Sequence, residues 1–154
     1  MIIGIILHSH TGNTLAVGEK IREYLGKEGH TAEIARVTAD KEGQAASGKI
    51  TILSAPDAGQ YDIVLFGAPV QAFSLSPVMK TYMADLPSLE GKKVSCFVTQ
   101  QLPKPWMGGN RAIRQLTRLC KDKGASIMES GIVHWSLKSR EKQMEDVAAR
   151  LGRL

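Results

Sequence analysis

The chain has 154 residues, the size of one ordinary domain. Apolar residues make up 43% and charged residues 23%, close to the globular average, which excludes an intrinsically disordered or collagen-like chain. The 20 Lys and Arg residues against 15 Asp and Glu residues give a formal net charge of +5. Because these charges are spread along the chain without blocks of like sign, we expect a basic surface but no nucleic-acid-binding stripe. Two cysteines and no Cys-x-x-Cys motif argue against a disulfide framework and a zinc knuckle.

Five short segments rich in apolar and β-branched residues predict strands. They are Ile2–Leu7, Thr31–Val37, Asp62–Phe66, Lys93–Val98 and Ser126–His134. The first and third are apolar on successive residues, as expected for strands covered on both faces. The first segment has no basic flank and is far too short to span a bilayer, so we expect a cytoplasmic protein without a membrane segment.

Amphipathic segments with helix signals lie between these strands. An apolar stripe follows Asn13 and stops at Gly29, and Ser76-Pro77 reads as a helix cap followed by proline at the first helical position. A third stripe ends at Gly124, and Ser139 opens the last one. Strands alternating with helices predict a parallel sheet with right-handed crossovers and helices on both faces.

The segment 39–60 is the part of the chain whose structure the sequence leaves open. Its glycines and prolines interrupt any helix, and a short extra strand over 49–53 is the one element that we expect there. Cys96, inside a strand, and Cys120, in a helix stripe, are both predicted to lie in the core.

The loop after the first strand carries the most specific motif, Ser9–Thr14, with the sequence Ser-His-Thr-Gly-Asn-Thr. Ligands of open parallel sheets bind at the carboxyl ends of the strands. Hydroxyl groups, a glycine for close backbone approach and free N–H groups at a helix N-terminus suit a phosphate dianion. No lysine is present, so we expect hydrogen bonds and the helix dipole to hold the phosphate.

At this loop the sequence resembles the flavodoxin-like family, whose phosphate loop Ser/Thr-x-Thr-Gly-Asn-Thr grips the 5′-phosphate of FMN. The resemblance covers essentially the whole chain. It implies a single domain, 1–154, with an α/β fold: a flavodoxin-like doubly wound five-stranded parallel sheet, order 2-1-3-4-5, with helices on both faces. His8 stands where the family often has Tyr or Phe. The resemblance assigns six residues to the FMN phosphate: Ser9, His10, Thr11, Gly12, Asn13 and Thr14.

The loop after the third strand is similar to the Gly-Ser/Thr-Pro-Val-aromatic stretch of NAD(P)H-dependent FMN reductases and multimeric flavodoxin relatives. In those proteins it lines the isoalloxazine ring. Gln71 replaces the usual aromatic residue here, and Phe73 either stacks on the flavin or returns to the core. The implied flavin-lining residues are Ala68, Pro69, Val70, Gln71, Ala72 and Phe73.

The loop after the fourth strand resembles the polar, glycine-containing loop that family members place against the flavin. Gln100 and Gln101 are candidates to hydrogen-bond the pyrimidine ring. Trp106 is either a stacking residue, a residue packed under its own loop, or a subunit contact. The implied cofactor-binding residues in this loop are Thr99, Gln100, Gln101, Trp106 and Gly108.

The residues in these loops exclude other classes of doubly wound protein. Receiver domains need a carboxylate cluster after the first strand, where this chain has His8 and Ser9. The dinucleotide fingerprint, the P-loop, the cysteine phosphatase loop and the nucleophile elbow are all absent from the sequence. The four histidines are scattered over different elements, so no metal site is expected.

The resemblance therefore implies an FMN-binding flavoprotein that carries out electron transfer, with no evident catalytic side chain. The expected form is an NAD(P)H-dependent oxidoreductase. The alternatives are a one-electron carrier flavodoxin and a flavin-free interaction protein. The expected partner is NAD(P)H or a redox protein, with no nucleic acid and no membrane, and a homodimer is one assembly the sequence allows. A basic cluster lies on or near the last helix, with two further lysines, Lys121 and Lys123, on the preceding one; its other members are Lys138, Arg140, Lys142, Arg150 and Arg153. The cluster suggests an acidic partner or a phosphorylated reductant, although a solvated helix face is the commoner case.

Overall fold

A computed structural model describes residues 2–42 and 49–154. The strands in these ranges are β1 (Ile2–Leu7), β2 (Thr31–Arg36), β3 (Thr38–Ala39), β4 (Ile52–Ser54), β5 (Ile63–Gln71), β6 (Ser74–Leu75), β7 (Lys93–Gln100) and β8 (Ser126–His134). The helices are α1 (Asn13–Lys27), α2 (Pro77–Asp85), α3 (Gly109–Asp122) and α4 (Arg140–Leu151), with a 3₁₀ turn at Ala58–Gln60.

The five long strands form one parallel sheet in the order β2-β1-β5-β7-β8. Numbered among themselves, these strands have the order 2-1-3-4-5, so the predicted topology is confirmed. Strand β1 lies between β2 and β5, with Leu7 opposite Arg36 on one side and Gly67 on the other. Because the strands are parallel, the loops that follow β1, β5 and β7 meet at the same edge of the sheet.

Helices cover both faces of the sheet and divide the core in two. On one face α1 and α4 pack against β1, β5 and β7 around the fully buried side chain of Phe97. On the other face α2 and α3 enclose a second apolar cluster around Phe66. Strand β1 is fully buried from Ile3 to Leu7, which explains why it is apolar on successive residues.

The helix signals in the sequence are confirmed at their N-termini. Ser76 caps α2, because its Oγ accepts a hydrogen bond from the Met79 N–H at 3.2 Å, and Pro77 is the first helical residue. Ser139 occupies the N-cap position of α4, although its side chain bonds Gln143 Nε2 instead of a backbone N–H group.

In and beside the segment 39–60, β3 and β4 pair antiparallel in a small two-stranded sheet, outside the main sheet. The extra strand predicted over 49–53 therefore exists, but it runs from Ile52 to Ser54. The part of the segment from 43 to 48 lies outside the described residues. A second antiparallel addition, β6, turns back from the end of β5 and was not expected from the sequence.

Both cysteines lie in the core, as predicted, on α3 and on the strand beneath it. Cys96 Sγ and Cys120 Sγ are 3.9 Å apart, and both side chains are free thiols. The Cys120 contact and burial raise the pKa of the Cys96 thiol well above its ordinary value. Within residues 2–42 and 49–154, no helix has the length and apolar character needed to cross a bilayer.

Candidate functional site

A cavity of about 300 Å³ opens at the carboxyl edge of the sheet, where the loops after β1, β5 and β7 meet. Every one of its lining residues is a residue predicted from the sequence to bind the cofactor: His10, Thr11, Asn13, Pro69, Val70, Gln71, Thr99, Gln100 and Gln101. The structure therefore brings together residues from all three candidate loops. Among these lining residues, only His10 carries a titratable side chain.

The Ser9–Thr14 loop leads directly into α1. Gly12 is the N-cap residue with φ 96°, a left-handed conformation that glycine adopts without strain, and a Cβ there would meet no atom within 4 Å. The Leu15 N–H donates to Ser9 Oγ at 3.2 Å, and the Ala16 N–H donates to the Gly12 carbonyl at 3.0 Å. The N–H groups of the first two helical residues, 13 and 14, have no acceptor among the described residues. They give the helix N-terminus open donors and a positive dipole end for an anion.

Two predicted site residues tie the first and third loops together, and one of them, Thr99, also lines the cavity. Thr14 and Thr99 share a hydrogen bond between their hydroxyl groups at 2.8 Å, and both side chains are buried. Ser9 is also buried, beneath the loop that it helps to close. Ala68 lies wholly in the core, so only its backbone is available to a ligand.

Arg36 is a residue of this site that the sequence analysis missed. It ends β2, and its guanidinium donates a hydrogen bond from Nη2 to the Ser9 carbonyl at 3.2 Å. A cation therefore lies beside the phosphate-loop motif, where no lysine was found in the sequence. The strand order could have identified it, since β2 neighbours β1 and its last residue reaches the same edge.

His8 joins the start of the loop to two other segments. It is fully buried, its Nε2 contacts the Glu42 carboxylate, and its Nδ1 lies 2.9 Å from Ser76 Oγ. Burial lowers the pKa of His8; the Glu42 carboxylate opposes this shift, while His10 and Arg36 add to it.

This network fixes the hydrogen-bond directions of the neutral imidazole. Nε2–H donates to Glu42, and the Ser76 hydroxyl donates to Nδ1 while accepting from the Met79 N–H. A Ser–His–carboxylate chain also occurs in hydrolases. Ser76 is fully buried here, so its hydroxyl cannot reach a substrate.

The second loop is a tight hairpin with Ala72 and Phe73 at its tip. Gln71 pairs with Ser74, leaving two residues in the turn, and these have φ values of 50° and 61°. Such a turn favours Asn-Gly, because other residues are strained at positive φ. Phe73 is 59% exposed, so the alternative in which it returns to the core is wrong.

Gln71 and Gln100 each bury an amide oxygen that has no hydrogen-bond partner among the described residues. Gln71 is 8% exposed and lines the cavity, which leaves its Oε1 as an acceptor in need of a donor. Gln100 uses its amide N–H groups on the carbonyls of Lys104 and Met107, at 2.8 and 3.2 Å. It therefore holds the third loop in place.

The third loop carries Trp106 on its surface. The indole is 72% exposed, so the alternative in which it packs under its own loop is wrong. Gly108 caps α3 with φ 114°, and a Cβ at this position would lie 2.8 Å from the Phe73 Cα atom. The second and third loops therefore touch at Gly108, where glycine is required both by its backbone conformation and by the space available.

Comparison with solved structures shows the same fold along the whole chain. A solution structure of two-electron reduced Megasphaera elsdenii flavodoxin matches with a TM-score of 0.72 at 21% identity, covering 99% of both chains. A Streptococcus pneumoniae TIGR4 flavodoxin matches with a TM-score of 0.71 at 16% identity, covering 98% of this chain and 97% of that one. The Trp repressor binding protein from Bacillus subtilis matches with a TM-score of 0.65 at 16% identity, covering 100% of this chain and 99% of that one. No family model and no curated protein matches the chain.

Proposed function

We propose that this chain, which has the flavodoxin-like fold, binds FMN at the cavity and transfers electrons through it. The observation that carries the proposal is the Ser9–Thr14 loop, which places open N–H donors at the N-terminus of α1 beside a cavity lined by the other two loops. FMN pairs a phosphate dianion with a flat ring, and this arrangement offers an anion site next to a space walled by mainly uncharged side chains.

The phosphate fits the first loop by charge and by donor chemistry. The open N–H groups of Asn13 and Thr14, the Thr11 hydroxyl and the Arg36 guanidinium are all donors at one edge of the sheet. No carboxylate lies in the first turn of α1, so nothing there repels an anion.

The flavin ring fits the polar groups of the other two loops. Its pyrimidine ring carries an N–H donor between two carbonyl acceptors, and the unpaired Oε1 of Gln71 suits that donor. Gln101, which also lines the cavity, supplies further amide groups. The exposed Phe73 and Trp106 are the aromatic side chains available to cover the ring.

Bound FMN supplies hydride or single-electron transfer, and the protein's task is to bind it, orient it and limit access of water. The cavity offers no carboxylate that could act as a general base. Within this function we favour an NAD(P)H-dependent oxidoreductase, because the net charge of +5 suits a phosphorylated reductant. A one-electron carrier is the second form of the same proposal.

The decisive measurement is the visible absorption spectrum of the purified protein, followed by titration of the flavin-free fraction with FMN. We expect micromolar or tighter binding, and a loss of about a hundredfold in the Thr11→Ala/Asn13→Ala double variant, which removes two polar side chains from the phosphate loop. The matched control is Thr31→Ala/Ser126→Ala, which removes two exposed hydroxyls at the opposite edge of the sheet.

A colourless protein that does not bind micromolar FMN would overturn the proposal and favour the flavin-free interaction protein. Equal losses in the two double variants would contradict the assigned phosphate site. With the cofactor established, NADPH oxidation faster than that of free FMN supports the reductase, and oxidation no faster than free FMN favours the one-electron carrier.

A further inference from the structure

One row of basic residues follows the exposed face of α3. The row, named the α3 stripe below, consists of Arg111, Arg114, Arg118 and Lys121. Spacings of three and four residues place all four on one side of the helix, over a length of about 15 Å. The charges look scattered along the sequence, and the helix brings them into line.

No carboxylate neutralises this row within residues 2–42 and 49–154. None of the four side chains lies within 4.0 Å of an acidic group, and Asp122 is the only acidic residue on the helix. Lys80 on α2 lies near this row, and burial first and the charge of Arg111 second lower the pKa of its ammonium group. Arg111 also lies in the first turn of α3, where the helix dipole disfavours a cation. Like charges in one row and a cation at a helix N-terminus are both unfavourable for stability, and proteins often retain such arrangements at functional sites.

The basic cluster expected near the last helix differs, because two of its five charges are engaged. Arg150 pairs with Glu129 at 2.9 Å, and Arg140 lies 4.6 Å from the centre of the Trp135 ring. Three acidic residues also interrupt α4. In the α3 stripe, by contrast, none of the four charges has such a partner among the described residues.

The α3 stripe begins beside the candidate site. Gly108 ends the third loop and touches Phe73, and α3 follows at once, so that Arg111 lies three residues from the second-loop contact. Phe73 and Trp106, 59% and 72% exposed, are aromatic residues of the second and third loops beside this end of α3. Exposed aromatic residues flanked by arginines are typical of protein interfaces.

We infer that the α3 stripe is a docking surface for an acidic redox protein. Docking there would bring the partner's metal centre close to the mouth of the cavity. The electron-transfer part of this inference rests on the proposed function, and the docking itself does not. One electron leaves the partner's centre and enters the cofactor, and no bond forms or breaks. A protein fits better than a nucleic acid, because the charges form one short row on a convex helix and no aromatic residues alternate with them.

The test uses the full ¹⁵N-labelled chain, as purified and again after addition of FMN, titrated with an oxidised acidic [2Fe–2S] ferredoxin. We expect amide shifts concentrated in 109–122. The dissociation constant rises by about tenfold or more in Arg114→Glu/Arg118→Glu, because charge pairs across an interface are lost and like charges are opposed. The control Lys142→Glu/Arg153→Glu changes the net charge by the same amount on the other face, and less than about threefold weakening is expected there.

Three outcomes would overturn the inference: equal weakening in both double variants, no binding at low ionic strength, or tighter binding of a thymidine oligonucleotide than of ferredoxin on the same amides. Dispersed amide spectra check that each variant is folded. Because binding is followed on the chain with and without FMN, a failure of docking is distinguishable from a failure to bind the cofactor.

Discussion

Arg36 illustrates how one residue on a neighbouring strand changes the electrostatics of a loop. Its contact with the Ser9 carbonyl holds the guanidinium at the edge where the phosphate-loop motif lies. A guanidinium and a phosphate form charge-assisted hydrogen bonds, which are stronger than those between neutral groups. The side chain remains exposed, so solvent weakens this effect.

We therefore expect Arg36→Gln to weaken FMN binding by about fivefold, close to 1 kcal/mol, and to leave riboflavin binding unchanged, because riboflavin has no phosphate. Fluorescence titration with the two flavins measures both constants. Arg22→Gln, an exposed arginine on α1, is the control for net charge. Equal losses for the two flavins would mean that Arg36 acts through the shape of the site.

His8 makes stability depend on pH. Its folded-state pKa is lowered, mainly by burial, so in mildly acidic solution the unfolded chain binds a proton that the folded chain does not. This contribution to stability is present above the unfolded pKa of about 6.5 and is lost as the pH falls toward the lower folded value.

Urea unfolding should show this loss directly. We expect the free energy of unfolding to fall between about pH 7.5 and 5.5, and His8→Asn to reduce that difference. The variant should also be less stable at both pH values, since Glu42 and Ser76 lose their partner. His30→Asn serves as the control histidine. An unchanged pH dependence in His8→Asn would contradict the role given to burial.

Among the elements, the β5–β6 hairpin departs furthest from ordinary local preference. Its turn holds Ala72 and Phe73 at positive φ, each at a cost of about 1–2 kcal/mol for residues with a side chain. Strain of this kind concentrates at functional sites, and Gln71, directly before this turn, lines the candidate cavity.

Replacing the two turn residues by the preferred pair, Ala72→Asn/Phe73→Gly, should raise the free energy of unfolding by about 1–2 kcal/mol. The exposed phenyl ring contributes little packing that could offset this gain. Phe73→Ala is the matched control, because it removes the ring and keeps the strained backbone. Denaturant unfolding of the three proteins gives the comparison, and a double variant no more stable than Phe73→Ala would show that the turn is unstrained.

On the scale of the whole molecule, the parallel sheet could be predicted because apolar strand segments alternate with amphipathic helix segments, which begin or end at signals such as Gly29, Ser76 and Gly124. The strand order came from the Ser9–Thr14 resemblance, and it placed the three loops together correctly. The β6 strand was missed because its turn has Ala72-Phe73 where a hairpin signal would have Asn-Gly.

Contacts across the sheet could not be predicted, because they depend on register and side-chain direction. Arg36 reaches the loop only because it lies opposite Leu7. Gln100 was expected on the flavin, and the structure shows its amide N–H groups on loop carbonyls. The α3 stripe could have been predicted from the helical spacing of its residues. A search for blocks of consecutive like charges does not find it, because other residues lie between the basic ones.

The hydrogen bond between Thr14 and Thr99 joins residues that are 85 positions apart in the chain. One wall of the cavity is therefore available only after β7 has docked beside β5, and closing so long a loop is slow compared with forming the local helix α1. The anion-binding loop can form early, while the complete pocket forms late in folding. A ligand that needs the complete pocket should therefore bind during folding only once the central sheet has assembled.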